Sequence, residues 1–284
     1  MSRIVYVNGE YLPEEAAKIS VFDRGFLMAD GVYEVTSVLS GKLCDYEGHR
    51  ARLHRSLVEL KMDSPVSDDE LLEIHRELVK RNDLEEGVVY LQITRGAADR
   101  DFAWPKEATP GIVLFTQVKD LEEAAAAKTG IKVMSQPDLR WGRRDIKTVQ
   151  LLYPSFAKMA AKEHGADDAW MVADDGFVTE GTSNNAYIVK DGKIITRHLG
   201  HEILHGITRA AVLKLAREAQ MQVEERPFTI SEAQEADEAF ITAASTFVCP
   251  VVEVDGAAIG AGAPGPVAKR LREIYLSEAR AHSI

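Results

Sequence analysis

The sequence predicts a mixed α+β or α/β fold in two domains, and three observations carry that prediction. Strand-like and helix-like segments alternate along the chain instead of segregating into runs of one kind. Asn-Gly and Asp-Gly turn signals recur between apolar segments. The stretch Asp120-Leu121-Glu122-Glu123-Ala124-Ala125-Ala126-Ala127 separates two β-rich regions and has no buried-strand pattern.

In order, Ile4 to Val7 and Glu10 to Leu12 flank Asn8-Gly9, a hairpin signal because a tight turn between strands needs residues that tolerate positive φ. Val32 to Val38 continues the strand pattern. From about Gly48 the period changes: Leu53, Leu57 and Leu60 recur at helical spacing through Met62. Ser67 with Glu70 predicts a capping box before the helix of Leu71, Leu72 and Ile74. Gly87 to Thr94 and Gly111 to Val118, rich in Val, Ile, Leu and Tyr, read as strands.

The acidic stretch after Lys119 reads as a connection, with an exposed helical turn as the alternative. The expected division is a smaller α/β domain over 1–119, a linker over 120–130 and a larger domain over 131–284. In the larger domain, Ile131 to Ser135 reads as a strand and Pro154 to His164 as a helix. Strands are expected on each side of Asp175-Gly176 and Asp191-Gly192, then a helix from Thr208 to Gln220 and a last helix after Pro266. The small residues from Gly260 to Gly265 read as a loop, and no internal repeat is evident.

A chain of 284 residues with 45% hydrophobic side chains is long enough for a substantial core. Its 45 acidic and 34 basic residues leave a formal charge of -11, which argues against general affinity for nucleic acid or anionic membrane. Cys44 and Cys249 are too few for a disulfide framework and lack metal-ligand spacing, so they read as buried or inert thiols in a reducing compartment. No segment approaches the roughly 20 apolar residues of a membrane span, and the N-terminus lacks the apolar stretch of a signal peptide. A cytoplasmic protein is expected, with no metal site.

Two segments carry candidate chemistry. Arg144-Asp145-Ile146-Lys147-Thr148 supplies a lysine, and Val178-Thr179-Glu180-Gly181-Thr182-Ser183-Asn184-Asn185 a carboxylate. A lysine amine can form a Schiff base with an aldehyde, and a carboxylate opposite a pyridine nitrogen keeps that nitrogen protonated, so the pair suits pyridoxal 5'-phosphate as an electron sink. Neither residue is diagnostic alone, since most lysines are solvated surface charges and Glu180 has an exposed-turn reading. Gly206-Ile207-Thr208, before the periodic Ala211, Leu213 and Leu215, puts free amides at a helix N-terminus. Ile207 and Thr208 are therefore phosphate candidates, beside the plainer reading of a Thr at a helix start.

The order and wording of these motifs resemble the class IV aminotransferases, the fold type IV pyridoxal-phosphate enzymes, and within them the D-amino acid transaminases. The resemblance runs nearly end to end through Val5-Tyr6-Val7-Asn8-Gly9, Phe22-Asp23-Arg24-Gly25-Phe26, Asp30-Gly31-Val32-Tyr33-Glu34 and Tyr90-Leu91-Gln92-Ile93-Thr94-Arg95-Gly96. The lysine and glutamate motifs follow, then Gly206-Ile207-Thr208-Arg209.

The resemblance implies a two-domain fold type IV enzyme that moves an amino group between D-amino acids and 2-oxo acids such as pyruvate or 2-oxoglutarate by a ping-pong cycle. It implies Lys147 as the cofactor lysine and proton carrier, Glu180 at the pyridine nitrogen, and Leu204 packed on the ring. Arg52, Ile207, Thr208 and Ser245 would hold the phosphate, while Arg50 and Arg55 read as solvated helix charges. Thr242-Ala243-Ala244-Ser245-Thr246 departs from the family's second phosphate turn by carrying alanines where hydroxyls are common. Tyr33 and Arg100 would bind the substrate carboxylate, with Arg100 on a loop lent by the neighbouring subunit of a homodimer with shared active sites. Better-known relatives have histidine two residues after that arginine; Phe102 stands here and donates no hydrogen bond, which leans carboxylate binding on Arg100 and broadens the expected range toward less polar amines. The alternatives are a branched-chain L-amino acid or (R)-amine transaminase and aminodeoxychorismate lyase.

Overall fold

The computed structural model describes residues 2–284 and divides into two compact units. The first is built from the chain as far as Asp120, joined by Ile146–Gln150 and Arg280–Ile284; the second comprises Leu121–Asp145 and Leu151–Ala279. A single cut near 120–130 misses these two returns, because both are made by tertiary pairing. Thr148 bridges Val32, and Ile284 exchanges backbone hydrogen bonds with Leu43.

In the first unit the order is β1 (Ile4–Val7), β2 (Glu10–Pro13), α1 (Arg24–Met28), β3 (Gly31–Leu39), β4 (Lys42–Leu43), α2 (Tyr46–Glu59), α3 (Asp68–Arg81), β5 (Glu86–Thr94) and β6 (Gly111–Val118). Among the described residues these strands form one antiparallel sheet, ordered β2-β1-β6-β5-β3-β4. The period-2 alternation of a strand sends Val32, Val38, Val89, Leu91, Ile93, Ile112 and Leu114 into a core with Leu53 and Leu57 of α2 and Leu71, Ile74 and Leu78 of α3. Each such side chain contributes about 1.5–3 kcal/mol by leaving water. Tyr33, Tyr90 and Phe115 lie in the other alternation set and stack across neighbouring strands, with centroids 5.6 and 4.7 Å apart.

The helix predicted from Leu53, Leu57 and Leu60 forms, but its inner face also buries His49 and Arg52, which hydrophobic spacing does not reveal. Only half of the expected capping box is made: Ser67 Oγ accepts from the Glu70 N–H at 3.3 Å. A reciprocal box joins Thr229 and Glu232 instead.

The second unit contains α4 (Ala125–Thr129), β7 (Ile131–Pro137), α5 (Leu152–Glu163), β8 (Asp168–Val172), β9 (Val178–Gly181), β10 (Asn185–Lys190), β11 (Lys193–Thr196), α6 (Ile207–Glu218), β12 (Gln222–Glu225), α7 (Ile230–Gln234), β13 (Glu238–Ala243), β14 (Phe247–Val254), β15 (Ala257–Ala258) and α8 (Pro266–His282), the last running on into the first unit's C-terminal segment. Its sheet runs β12-β11-β10-β13-β14-β7-β8-β9, with β15 beside β14; β11-β12, β14-β7 and β7-β8 are parallel and the remaining pairs antiparallel. Trp170 and Phe228 meet edge to face at 5.7 Å within its core.

The 120–130 stretch is not a bare linker. Leu121 is fully buried, and the carbonyls of Leu121 and Glu122 accept from the buried Arg272 guanidinium. Residues 125–129 form the short helical turn that was the alternative reading.

Candidate active site

Lys147 belongs to the first unit. Tyr33 N–H donates to Lys147 O at 3.0 Å and Val149 N–H to Gly31 O at 3.1 Å, so the lysine segment pairs with the start of β3. This register sets the Lys147 amine 4.2 Å from the centroid of the Tyr33 ring. Ser56 Oγ lies 3.4 Å from Lys147 N, and Ile146 anchors the segment in the core. Among the described residues no carboxylate pairs with the Lys147 amine, whereas Lys158 Nζ stands 3.5 Å from Asp168 Oδ1. The arrangement leaves a half-buried amine beside an aromatic face, available to an electrophile.

Arg52 is buried and bidentate on Glu34, with Nε to Oε1 at 2.8 Å and Nη2 to Oε2 at 2.7 Å. His49 Nδ1 lies 2.8 Å from the same Glu34 Oε2. Burial alone would raise the Glu34 carboxyl, but Arg52 and then His49 outweigh it and hold it far below the usual carboxylate range. Glu34 and His49 therefore fix Arg52 in place. The Tyr33-Glu34 dipeptide puts consecutive side chains into opposite strand alternation sets, which explains how one strand serves both Lys147 and Arg52.

In the second unit Glu180 lies on β9, 3% exposed. Its Oε1 accepts from Arg140 Nη1 at 2.6 Å, and its Oε2 from Asn185 Nδ2 and from Leu204 N, each at 3.0 Å. Arg140 also donates to Asp138, which accepts from Thr179 Oγ1 at 2.6 Å and stands 3.2 Å from Arg144 Nε. Sequence reasoning missed Arg140, the cation that stands against Glu180. The two carboxyls diverge. Burial is the largest influence on both, yet Asp138 is held below its ordinary value by Arg140, whereas Glu180 is pushed above its own because burial outweighs Arg140. A carboxylate under such desolvation gains from one more charged hydrogen-bond donor, so the Glu180 surroundings fit a protonated ring nitrogen.

The start of α6 fits a phosphate. Gly206 is its N-cap and, among the described residues, no side chain caps it, which leaves the first-turn amides of Ile207 and the buried Thr208 open to a ligand. Glycine is needed there because a Cβ would overlap Asn185 Oδ1, the side chain that holds Glu180. Asn185 Nδ2 also donates to Leu204 O at 3.0 Å, so Leu204 is fixed to Glu180 through both backbone groups. Ser245 is half-buried in the turn between β13 and β14, and the next strand opens with Phe247 at φ 54°, an unusual conformation for a bulky residue. Cys44 and Cys249 are both buried.

Arg100 is exposed on the 95–110 connection between β5 and β6, its guanidinium carbon 5.5 Å from the Phe102 ring centroid. Phe102 is 81% exposed. Tyr33 meets Lys147 within the first unit, and Glu180 meets Leu204 within the second. Arg50, read as a solvated charge, pairs at the surface with Glu47 and Asp68.

The amino-transferase class IV family matches residues 31–254. D-alanine aminotransferase of Staphylococcus aureus strain MSSA476 is 37% identical over 281 residues, 99% of each chain, and that of Bacillus licheniformis is 38% identical over 271 residues, 94% of each. Among solved structures, the T.th. branched-chain amino acid aminotransferase with pyridoxamine 5'-phosphate superposes with a TM-score of 0.91 at 27% identity, covering 99% of this chain and 95% of that one. The branched-chain enzyme of Escherichia coli gives 0.91 at 25% identity over 98% and 95%. With its fold, its lysine and glutamate segments and its relatives in agreement, the chain belongs to the class IV aminotransferases.

Proposed function

We propose that this aminotransferase moves amino groups between D-amino acids and 2-oxo acids with Lys147 as its cofactor lysine. The carrying observation is the Lys147 amine, unpaired with any described carboxylate and poised against Tyr33, in a chain whose relatives at 37 and 38% identity are D-alanine aminotransferases. Pyridoxal 5'-phosphate supplies a carbonyl for the amine and a ring that accepts the electron pair released at the substrate α-carbon. Lys147 would hold that cofactor and would move the proton at the substrate α-carbon. Glu180, oriented by Arg140, Asn185 and the Leu204 amide, would accept the hydrogen bond of the ring nitrogen, and the Leu204 side chain would pack on the ring. Arg52, the Ile207 and Thr208 amides and Ser245 hold the phosphate.

Tyr33 and Arg100 take the substrate carboxylate, with Arg100 supplied by the neighbouring copy of a homodimer. The exposed Phe22, Phe26 and Phe102 of the first unit support burial against a second copy. A cytoplasmic location accords with two buried cysteines; among the described residues no helix is long and apolar enough to cross a membrane. The fold likeness to branched-chain enzymes favours a second reading, transfer from L-leucine and its kin. Borohydride reduction of the cofactor-loaded protein, followed by peptide mass analysis, tests the assignment. The pyridoxyl label is expected on Lys147, and a label on Lys158 or Lys162 would contradict it.

A further inference from the structure

Phe22-Asp23-Arg24-Gly25-Phe26 and Asp30 have no part in the chemistry so far, yet both converge on the connection that carries Arg100. Asp23 caps α1 by accepting from Gly25 N at 2.8 Å, and its other oxygen accepts from Thr94 Oγ1 at 2.7 Å. The neighbouring Arg24 is 3% exposed. Its Nε donates to Asp30 Oδ2 at 2.8 Å, and its Nη1 reaches Asp101 O at 2.7 Å and Ala103 O at 3.5 Å. Arg95 Nε donates to the same Asp30 oxygen at 2.8 Å, while Nη2 and Nη1 reach Leu60 O and Lys61 O at 2.9 and 3.3 Å. Its guanidinium carbon lies 4.3 Å from the Trp104 ring centroid, and Lys61 Nζ lies 5.8 Å from that centroid.

The loop is therefore gripped at both of its turns toward the fold. Ala97 bridges Asp23 and Ala98 N–H donates to Phe22 O at 3.1 Å. Further on, the carbonyls of Asp101 and Ala103 turn inward to Arg24, while Arg100 and Phe102 are exposed. Two guanidinium groups share one carboxylate, and backbone carbonyls accept from Arg24 Nη1 and from Nη1 and Nη2 of Arg95. Burial alone would raise the Asp30 carboxyl, but the Arg95 and Arg24 hydrogen bonds prevail and keep it below its ordinary value, so the cluster stays ionised near neutral pH.

We propose that Arg24, Asp30, Arg95 and Trp104 form a positioning frame for substrate recognition, holding the 100–104 loop so that Arg100 is presented to the carboxylate. The inference rests on the role given to Arg100 above. Holding the loop before substrate arrives removes the ordering cost from binding, so the frame acts on substrate affinity and not on proton transfer.

The test uses the cofactor-loaded protein and its Arg24→Lys, Trp104→Ala and Arg100→Ala variants. A lysine keeps the charge but cannot serve Asp30 and both carbonyls together, and Trp104, half exposed, can be truncated with little effect on folding. The measurements are kcat and KM for D-alanine and, by mass spectrometry, the rate of tryptic cleavage after Arg100 in the native protein. Arg24→Lys and Trp104→Ala are each expected to raise KM by on the order of tenfold with kcat nearly unchanged, and to speed cleavage by on the order of fivefold. A fall in kcat with KM unchanged, or unaltered cleavage, overturns the frame. A KM defect in Arg100→Ala that the other two lack also overturns it. An unchanged KM in Arg100→Ala overturns the role of Arg100 itself, and the frame's function with it.

Discussion

Replacing Arg140 by methionine should separate the charge chain behind Glu180 from ordinary packing. Glu180, Arg140, Asp138 and Arg144 alternate in sign and sum to zero; the variant leaves two buried carboxylates against the one guanidinium of Arg144. Breaking a buried pair from one side costs about 3–5 kcal/mol. At about 2–4 °C per kcal/mol for domains of this size, the melting temperature of the cofactor-free protein should fall by about 6–20 °C. The loss should depend on pH. Without Arg140 the Glu180 carboxyl loses its main stabilising neighbour and moves still further above its unfolded value of 4.5. A carboxyl raised by folding is at no disadvantage below its unfolded pKa and loses stability as pH rises through the folded one, so the deficit should be larger at pH 8 than near pH 5. Adding Glu180→Gln removes the stranded charge and should recover at least about 1.5 kcal/mol of the loss. Thermal and urea unfolding of the wild type, both single variants and the double variant provide the cycle. A single-variant loss below about 1 kcal/mol, or strictly additive losses, would refute the reasoning.

Three further outcomes are expected. Glu180→Gln should retain the cofactor but slow the half-reaction with D-alanine by at least on the order of tenfold in stopped-flow absorbance; unchanged rates would count against its role. Arg100→Ala should lower kcat/KM for D-alanine by about 2–4 kcal/mol of transition-state stabilisation, with a much smaller loss for (R)-1-phenylethylamine, which has no carboxylate; equal losses would contradict a carboxylate fork. His75, buried with Nδ1 2.8 Å from Leu71 O, is pushed down to about 4 by burial, from 6.5 when unfolded. Its stabilising contribution is complete above pH 6.5 and is lost as pH falls toward 4, a component of about 3 kcal/mol that His75→Gln should remove from the acid limb of a urea-unfolding series.

What sequence reveals here is local, and what it misses is long-range. Asn8-Gly9, the leucine spacing of α2 and the Gly206-Ile207-Thr208 helix start follow from neighbours in the chain, and the helix and strand segments built on them are present. Arg140 is 40 residues from Glu180, and their contact exists only because β9 returns beside β8 near the end of β7. Nor does any local pattern distinguish Arg24, whose partner carbonyls are 77 and 79 residues away. The motif Arg144-Asp145-Ile146-Lys147-Thr148 is legible in the sequence. That Ile146–Gln150 leaves the unit of its flanking residues and pairs with β3 is not, because a one-residue bridge leaves no periodicity to read.

The central claim, a transaminase selective for D-amino acids, is tested most directly by mixing the cofactor-loaded wild-type protein with D-alanine or L-leucine under single-turnover conditions and following the cofactor absorbance. The account predicts rapid loss of the absorbance band with D-alanine and little change with L-leucine on the same timescale. Faster loss with L-leucine would contradict it and favour the branched-chain reading suggested by the solved structures.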